Sequence, residues 1–179
     1  MKRNIELKAR FPDLDDGHHT ARRLGARLHA IERQRDTYFR VANGRLKLRQ
    51  RWSFDSSGVL QQPCASQLIW YQRPDDAQAR ASDYSLIVVE NGVQLREVLA
   101  SSLGVMSEIE KHRTVYLHDN VRIHLDQVSG LGTFLEFEAI VDESCDEAAA
   151  WVKLEKLFSE FQLTADSVIA GSYSDLLRC

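Results

Sequence analysis

Polar and apolar residues alternate without a break over Asn4-Ile5-Glu6-Leu7-Lys8-Ala9-Arg10-Phe11. A period of two is that of a β-strand with two unlike faces. Ile5, Leu7, Ala9 and Phe11 make one face; Asn4, Glu6, Lys8 and Arg10 make the other. A strand with one solvated face alternates in the same way, so a single example decides nothing. Repetition does. Arg45, Lys47, Arg49 and Arg51 alternate, as do Lys111 and Arg113, then Arg122, His124 and Asp126, then Glu136 and Glu138. Several strands, each with a charged face, point to one shared charged surface.

The same reading predicts the other elements. Pro12-Asp13 ends the first strand and opens a helix, with Leu14, Ala21, Leu24 and Leu28 as its apolar stripe and Gly25 near its end. Residues 31–40 and 45–51 read as two strands joined at Asn43-Gly44, a strong hairpin signal. Residues 53–66, rich in Ser with Gly and Pro, read as a loose loop, and residues 74–82 as a second. Between them lies a strand at 67–73, and 83–90 gives another. A helix over 93–103 is capped by Gly104. Strands follow at about 107–118, 120–128 and 132–142, separated by turns. A helix is expected from Asp146 to Phe161 and a short one near Thr164. Neither a linker nor a second domain is visible, so residues 1–179 read as one domain, long enough for a sizeable core.

Composition narrows the class. A net charge of −3 argues against a protein that coats nucleic acid. Apolar runs fall short of the roughly 18–20 residues a membrane span needs, and Met1-Lys2-Arg3 runs straight into the first strand rather than into a secretory leader. Cys64, Cys145 and Cys179 are scattered, without CxxC spacing, so neither a zinc site nor a disulfide framework is expected. A reducing, cytoplasmic location is the default expectation.

The first strand resembles the opening ExExK motif of the CYTH superfamily, which groups class IV adenylate cyclases with thiamine triphosphatases. Asp36-Thr37-Tyr38-Phe39, Gly44–Arg49, Lys111–Leu117, Val121–Val141 and Ser172–Leu177 follow in the order expected for that family, and look closest to its class IV cyclase branch. The resemblance covers nearly the whole chain. It implies an α+β fold: an eight-stranded antiparallel β-barrel flanked by helices, forming a tunnel with a charged interior, open at both ends. The apolar strand faces then point outward and need the amphipathic helices as cover.

A tunnel lined by like charges must stay hydrated or hold an anion. The cationic set is Lys8, Lys47, Arg49, Lys111, Arg113 and Arg122; guanidinium forks match phosphate oxygens bidentately. By resemblance Glu6, Glu136 and Glu138 match the family's metal-binding acids, suited to Mg²⁺ or Mn²⁺, and Asp126 matches a functional Asp. Without a metal, Glu136 and Glu138 would instead pair with Arg113 and Arg122. No protein nucleophile is evident, and phosphoryl chemistry does not need one. Lys8, Arg113 and Asp126 are the catalytic candidates, with Tyr38 and His124 as candidates for proton handling. The expected partner is a triphosphate: ATP, inorganic triphosphate or thiamine triphosphate. No nucleic acid or membrane partner is expected, and the helices leave room for a homodimer contact. Attack by a 3′-hydroxyl on the α-phosphorus would make the protein an adenylate cyclase; attack by water on the γ-phosphorus would make it a triphosphatase. A non-catalytic triphosphate-binding module is the further alternative. Two positions depart from the family pattern. Asn4 stands where ExExK has its first Glu, and Gln72 stands where LTYKGP has Lys. Arg73 replaces that lost cation only if a bulge re-aims it.

Overall fold

The computed structural model describes residues 2–55, 58–72 and 80–177. Eight strands form a closed antiparallel barrel: β1 (Lys2–Arg10), β2 (Arg27–Phe39), β3 (Arg45–Phe54), β4 (Leu60–Gln72), β5 (Arg80–Val89), β6 (Val105–His118), β7 (Val121–Val128) and β8 (Gly132–Val141). Their order around the barrel is β1-β5-β4-β3-β2-β6-β7-β8, and β8 pairs with β1 to close it. Four helices flank it: α1 (Leu14–Arg23), α2 (Gly92–Leu103), α3 (Glu147–Glu160) and α4 (Tyr173–Leu176).

The predicted alternation sets the barrel's polarity. Asn4, Glu6 and Lys8 line the interior, while Ile5 and Ala9 are fully buried on the outer face. Leu135, Phe137 and Ala139 of β8 and Ile123 and Leu125 of β7 continue that outer apolar surface. It packs against Ala21 of α1 and Ala150, Leu154 and Leu157 of α3 in one core cluster. The main hydrophobic core therefore lies outside the barrel wall. Gly17 permits the close approach of α1: a Cβ there would stand 2.8 Å from Leu125 Cδ2 and 2.9 Å from Phe11 Cε1.

Outward apolar cover is not needed all round. The outer face of β2 and β6 is charged, with Arg33 and Arg35 on Glu110 at 3.0 and 2.6 Å and Arg96 on Glu108 at 2.6 Å. Solvent and ion pairs satisfy that face without a helix over all of it.

Capping follows the expected chemistry. Asp13, Asn91 and Asp146 accept from Asp16, Gln94 and Ala149 backbone N–H groups at the starts of α1, α2 and α3. Gly44 turns the β2–β3 hairpin at φ +67°, where a Cβ would meet the Tyr71 carbonyl at 2.8 Å.

Three expectations are corrected. The strand expected at 31–40 begins at Arg27, because a bulge between Leu28 and Ala30 lets the chain pair with β6 beyond the apolar–polar pattern. Much of residues 53–66 is strand: β3 and β4 run on as a long hairpin through two register shifts, which blurred the period-two signal. The helix expected near Thr164 is a single 3-10 turn at Ala165–Ser167. From there Ile169 donates its N–H to the Lys8 carbonyl at 2.9 Å, steering the chain along β1 into α4.

α4 occupies one end of the barrel. Tyr173 and Ser174 are buried, and the Tyr173 hydroxyl donates to Asp126 Oδ2 at 2.7 Å. Ser174 bonds Ser107 at 2.7 Å, and Arg45 pairs with Asp175 at 3.0 Å. The tunnel implied to be open at both ends thus has one end covered.

Candidate functional site

The barrel encloses a cavity of about 550 Å³, within the usual range for a small-molecule site. Strand register decides which charges meet inside it. β8 lies between β1 and β7, so Glu6, Glu138 and Arg122 fall in one cross-strand row and Lys8, Glu136 and His124 in the next. Arg113 on β6 stands opposite Asp126 on β7.

The charges are paired rather than bare. Lys8 Nζ lies 2.7 Å from Glu136 Oε1 and 3.9 Å from the centre of the Tyr173 ring. Arg113 forms a bidentate pair with Asp126 at 2.6 Å through both nitrogens and reaches Glu136 Oε2 at 2.8 Å. Across the barrel, Asp36 receives Arg49 at 2.7 and 2.8 Å, Lys47 at 3.2 Å and Lys111 at 3.3 Å. Glu32 pairs with Arg51 and accepts from Gln34 Nε2 at 2.6 Å. Arg122, more exposed, meets Glu138 at 3.4 Å.

These contacts hold the groups in their charged forms. Burial alone would raise the Asp36 carboxyl, but the charges of Arg49, Lys111 and Lys47 keep it well below its usual value. Burial opposes ionisation of Glu136 too, and Lys8, His124 and Arg113 reverse that. Asp126 is likewise lowered against its burial by Arg113 and Lys111. Lys111 moves the other way: burial, then the like charge of Arg113, push its ammonium well below the ordinary lysine range, against the pull of Asp36. Burial and the nearby Asp126 and Glu136 carboxylates keep the Tyr173 phenol protonated, as a donor.

Among the described residues, Lys2, Lys8, Lys47, Arg49, Arg51, Lys111, Arg113 and Arg122 line the cavity. Glu6, Glu32, Glu136 and Glu138 line it with them, and Asp36 and Asp126 are buried in the wall behind. Eight cationic groups face six carboxylates. The resting interior is a lattice of ion pairs with a modest positive excess, and it contains the Glu136–Arg113 and Glu138–Arg122 pairs that were the alternative to a metal.

The expected residues Glu6, Lys8, Tyr38, Lys47, Arg49, Lys111, Arg113, Arg122, Glu136 and Glu138 all line this one cavity, with Asp126 buried behind it. Arg73 lies outside the described residues. Gln72 is exposed, whereas Tyr71 lines the cavity, so position 72 takes no part in it. Sequence reasoning missed Glu32, Gln34 and Asp36. Strand β2 carries polar residues on both faces, with Arg33, Arg35 and Thr37 outside, so its pattern does not reveal which side turns inward. The available signal was the hairpin: Asn43-Gly44 fixes the register that sets Asp36 against Arg49 and Tyr38 against Lys47. Tyr173 was missed because a four-residue helix has no periodicity to read.

A divalent ion fits the β1–β8–β7 side on the chemistry of its donors. Glu6 and Glu138 are directly opposite, a concentration of negative charge that Arg122 shares at 3.4 Å from Glu138 and that favours a further cation. Asn4 is 4 % exposed, and its Oδ1 is buried without a hydrogen-bond partner. An orphaned acceptor two residues from Glu6 on the same interior face is one that a cation can satisfy and a phosphate cannot.

A family model described as the CYTH domain matches residues 2–173. A Methanocaldococcus jannaschii protein provisionally named an adenylate cyclase is 21% identical over 175 residues, spanning 96% of this chain and 97% of its own. A conserved protein of Pyrococcus furiosus superposes with a TM-score of 0.78 at 22% identity, over 97% of this chain and 99% of the other. A Hippeastrum protein named as an adenylyl cyclase, and described as having a dominant triphosphatase activity, matches with a TM-score of 0.59 at 13% identity, over 96% and 91% of the two chains. At these identities the structural likenesses establish the fold.

Proposed function

The chain belongs to the CYTH domain family, and from that premise we propose that it is a divalent-metal-dependent enzyme acting on a triphosphate, with cyclisation of ATP as its reaction. The observation that carries this reading is the charge balance of a single cavity covered at one end. Among the described residues its eight cationic groups exceed its carboxylates by two. A triphosphate brings about four negative charges, so the cavity matches it in charge only together with one divalent cation.

The covered end orients the substrate. Lys8, Lys111 and Arg113 lie beside Tyr173, whereas Tyr84, Leu86 and Val115 line the cavity without charge. The phosphates enter first, and the organic part stays against the uncharged side chains. Glu6, Glu136 and Glu138 would hold the metal, which supplies charge neutralisation at the phosphate oxygens. Lys111, Arg113 and Lys8 orient the polyphosphate and stabilise the charge that grows on the leaving group. The 3′-oxygen forms its bond to the α-phosphorus as the bond to the bridging oxygen breaks. Pyrophosphate departs carrying the hydroxyl proton, so the four charges of ATP divide as one on the cyclic product and three on pyrophosphate.

A second reading is favoured by the likeness to the Hippeastrum protein: water attacks the γ-phosphorus and orthophosphate is released. Phosphorus NMR of the protein with ATP, and separately with inorganic triphosphate, tests both. Pyrophosphate with a cyclic phosphodiester signal is the expected result. Orthophosphate alone transfers the assignment to triphosphatase, and saturable binding without product removes the enzymatic reading.

A further inference from the structure

The cluster at the junction of β7 and β8 contains a nitrogen donor. His124 Nδ1 lies 3.3 Å from Glu136 Oε2 and 3.8 Å from Glu138 Oε1, and ligand atoms of the three residues all fall within 4.8 Å of one another. Neighbouring ligands about a small divalent ion stand about 3 Å apart at bonds near 2.1 Å, so a contraction of an ångström or so would close the set. We propose that His124 is a metal ligand together with Glu136 and Glu138, and that this nitrogen makes the cavity select Mn²⁺ over Mg²⁺.

Two observations converge on it. The imidazole is 4 % exposed and lines the cavity, so it is held there rather than solvated. Finally, the Glu136 oxygens are already oriented by Lys8 and Arg113 at 2.7 and 2.8 Å. A carboxylate has about four lone-pair directions, so these contacts fix its orientation while leaving room for a metal.

The selectivity follows from ligand type. Mg²⁺ takes oxygen ligands almost exclusively and dehydrates reluctantly. Mn²⁺ stands at the weak end of the first-row affinity order, but as a transition ion it accepts an imidazole nitrogen beside carboxylate and water more readily than Mg²⁺ does. A His and two carboxylates therefore form a mixed site that discriminates against Mg²⁺.

The proposal rests on the reading of this cavity as a metal–triphosphate site, but it is tested without any triphosphate. Mn²⁺ alone is titrated into the intact protein by electron paramagnetic resonance, and Mg²⁺ is added as competitor. About tenfold or greater preference for Mn²⁺ is expected. Pulsed measurements on bound Mn²⁺ should show modulation from a directly bound ¹⁴N in the wild type, which needs no variant to fold. His124→Asp should remove the nitrogen signal and level the two metals. Mn²⁺ bound without nitrogen modulation, equal competition by Mg²⁺, or no Mn²⁺ binding would each overturn it. Nitrogen-coordinated Mn²⁺ with no turnover of any triphosphate would leave this inference standing and remove the proposed function instead.

Discussion

The two sides of the barrel interior hold charge in opposite ways. On β2, β3 and β6, Asp36 sits fully buried beneath Arg49, Lys47 and Lys111, a single anion shared by three cations. On β1, β7 and β8, Glu136 and Glu138 meet His124, Glu6 stands opposite Glu138, and Lys8 and Arg122 pair with Glu136 and Glu138. Among the described residues the first side has surplus positive charge over Asp36 and Glu32, and the second has more carboxylates than cations. The difference teaches that a charged cavity need not be of one sign to bind a polyanion. On the proposed reading it is separated into two halves, one to take the phosphates and one to take the metal that accompanies them.

Removing the link between the halves should have the largest effect. Arg113 pairs with Asp126 and reaches Glu136 at full burial. Arg113→Ala should cost about 3–5 kcal/mol of stability, measured by denaturant unfolding, because two buried carboxylates lose their partner. Lys111→Ala acts on the cationic half alone, and turnover of ATP should fall about 100-fold or more with the fold retained. Retained activity would break the assignment of that half to phosphate.

Asp36→Asn sharpens the comparison. It leaves three cations without their anion, so the protein without ligand should lose a few kcal/mol. Inorganic triphosphate should then raise its melting temperature by more than it raises the wild type's, since the ligand replaces the missing charge. An equal shift in both would show that Asp36 and the ligand do not compete for the same cations.

The pH dependence has a definite sign. Asp36 and Glu32 have folded-state pKa values below their unfolded ones: burial opposes this, and Arg49, Lys111 and Lys47 for Asp36, and Arg51 for Glu32, outweigh it. Their contribution is fully present above the unfolded carboxylate value of about 4 and is lost as pH falls from there through the depressed folded values. Unfolding scans between pH 6 and 2, set out as a series, should show that loss, and Asp36→Asn should lessen it. The smallest effect belongs outside the barrel: Arg33→Ala breaks an exposed pair with Glu110 and should cost under about 1 kcal/mol without altering activity.

The acidic half was the more legible in the sequence. Glu6, Glu136, Glu138, Arg122 and His124 lie on strands whose opposite faces are apolar, so alternation separates the two faces and the family resemblance says which one turns inward. Asp36, Glu32 and Gln34 were not legible, because β2 has polar residues on both faces and hydrophobicity cannot orient it. Gln72 illustrates the same limit from the other direction: position counting set it at the lost Lys, whereas the register turns Tyr71 inward. The β3–β4 hairpin was read as loop because its register shifts interrupt the period of two.

By itself the sequence determined the strands, their unlike faces and the helices that cover them, since burial of Ile5, Leu7, Ala9 and their counterparts acts locally through a repeating pattern. Tertiary structure decided which charges meet. Glu6 comes to face Glu138 across 132 residues of sequence only because β8 closes onto β1, and Tyr173 meets Asp126 only because the chain after α3 returns along β1. Electrostatic pairing depends on a few ångströms of separation, and no periodicity along the chain encodes that distance between remote strands.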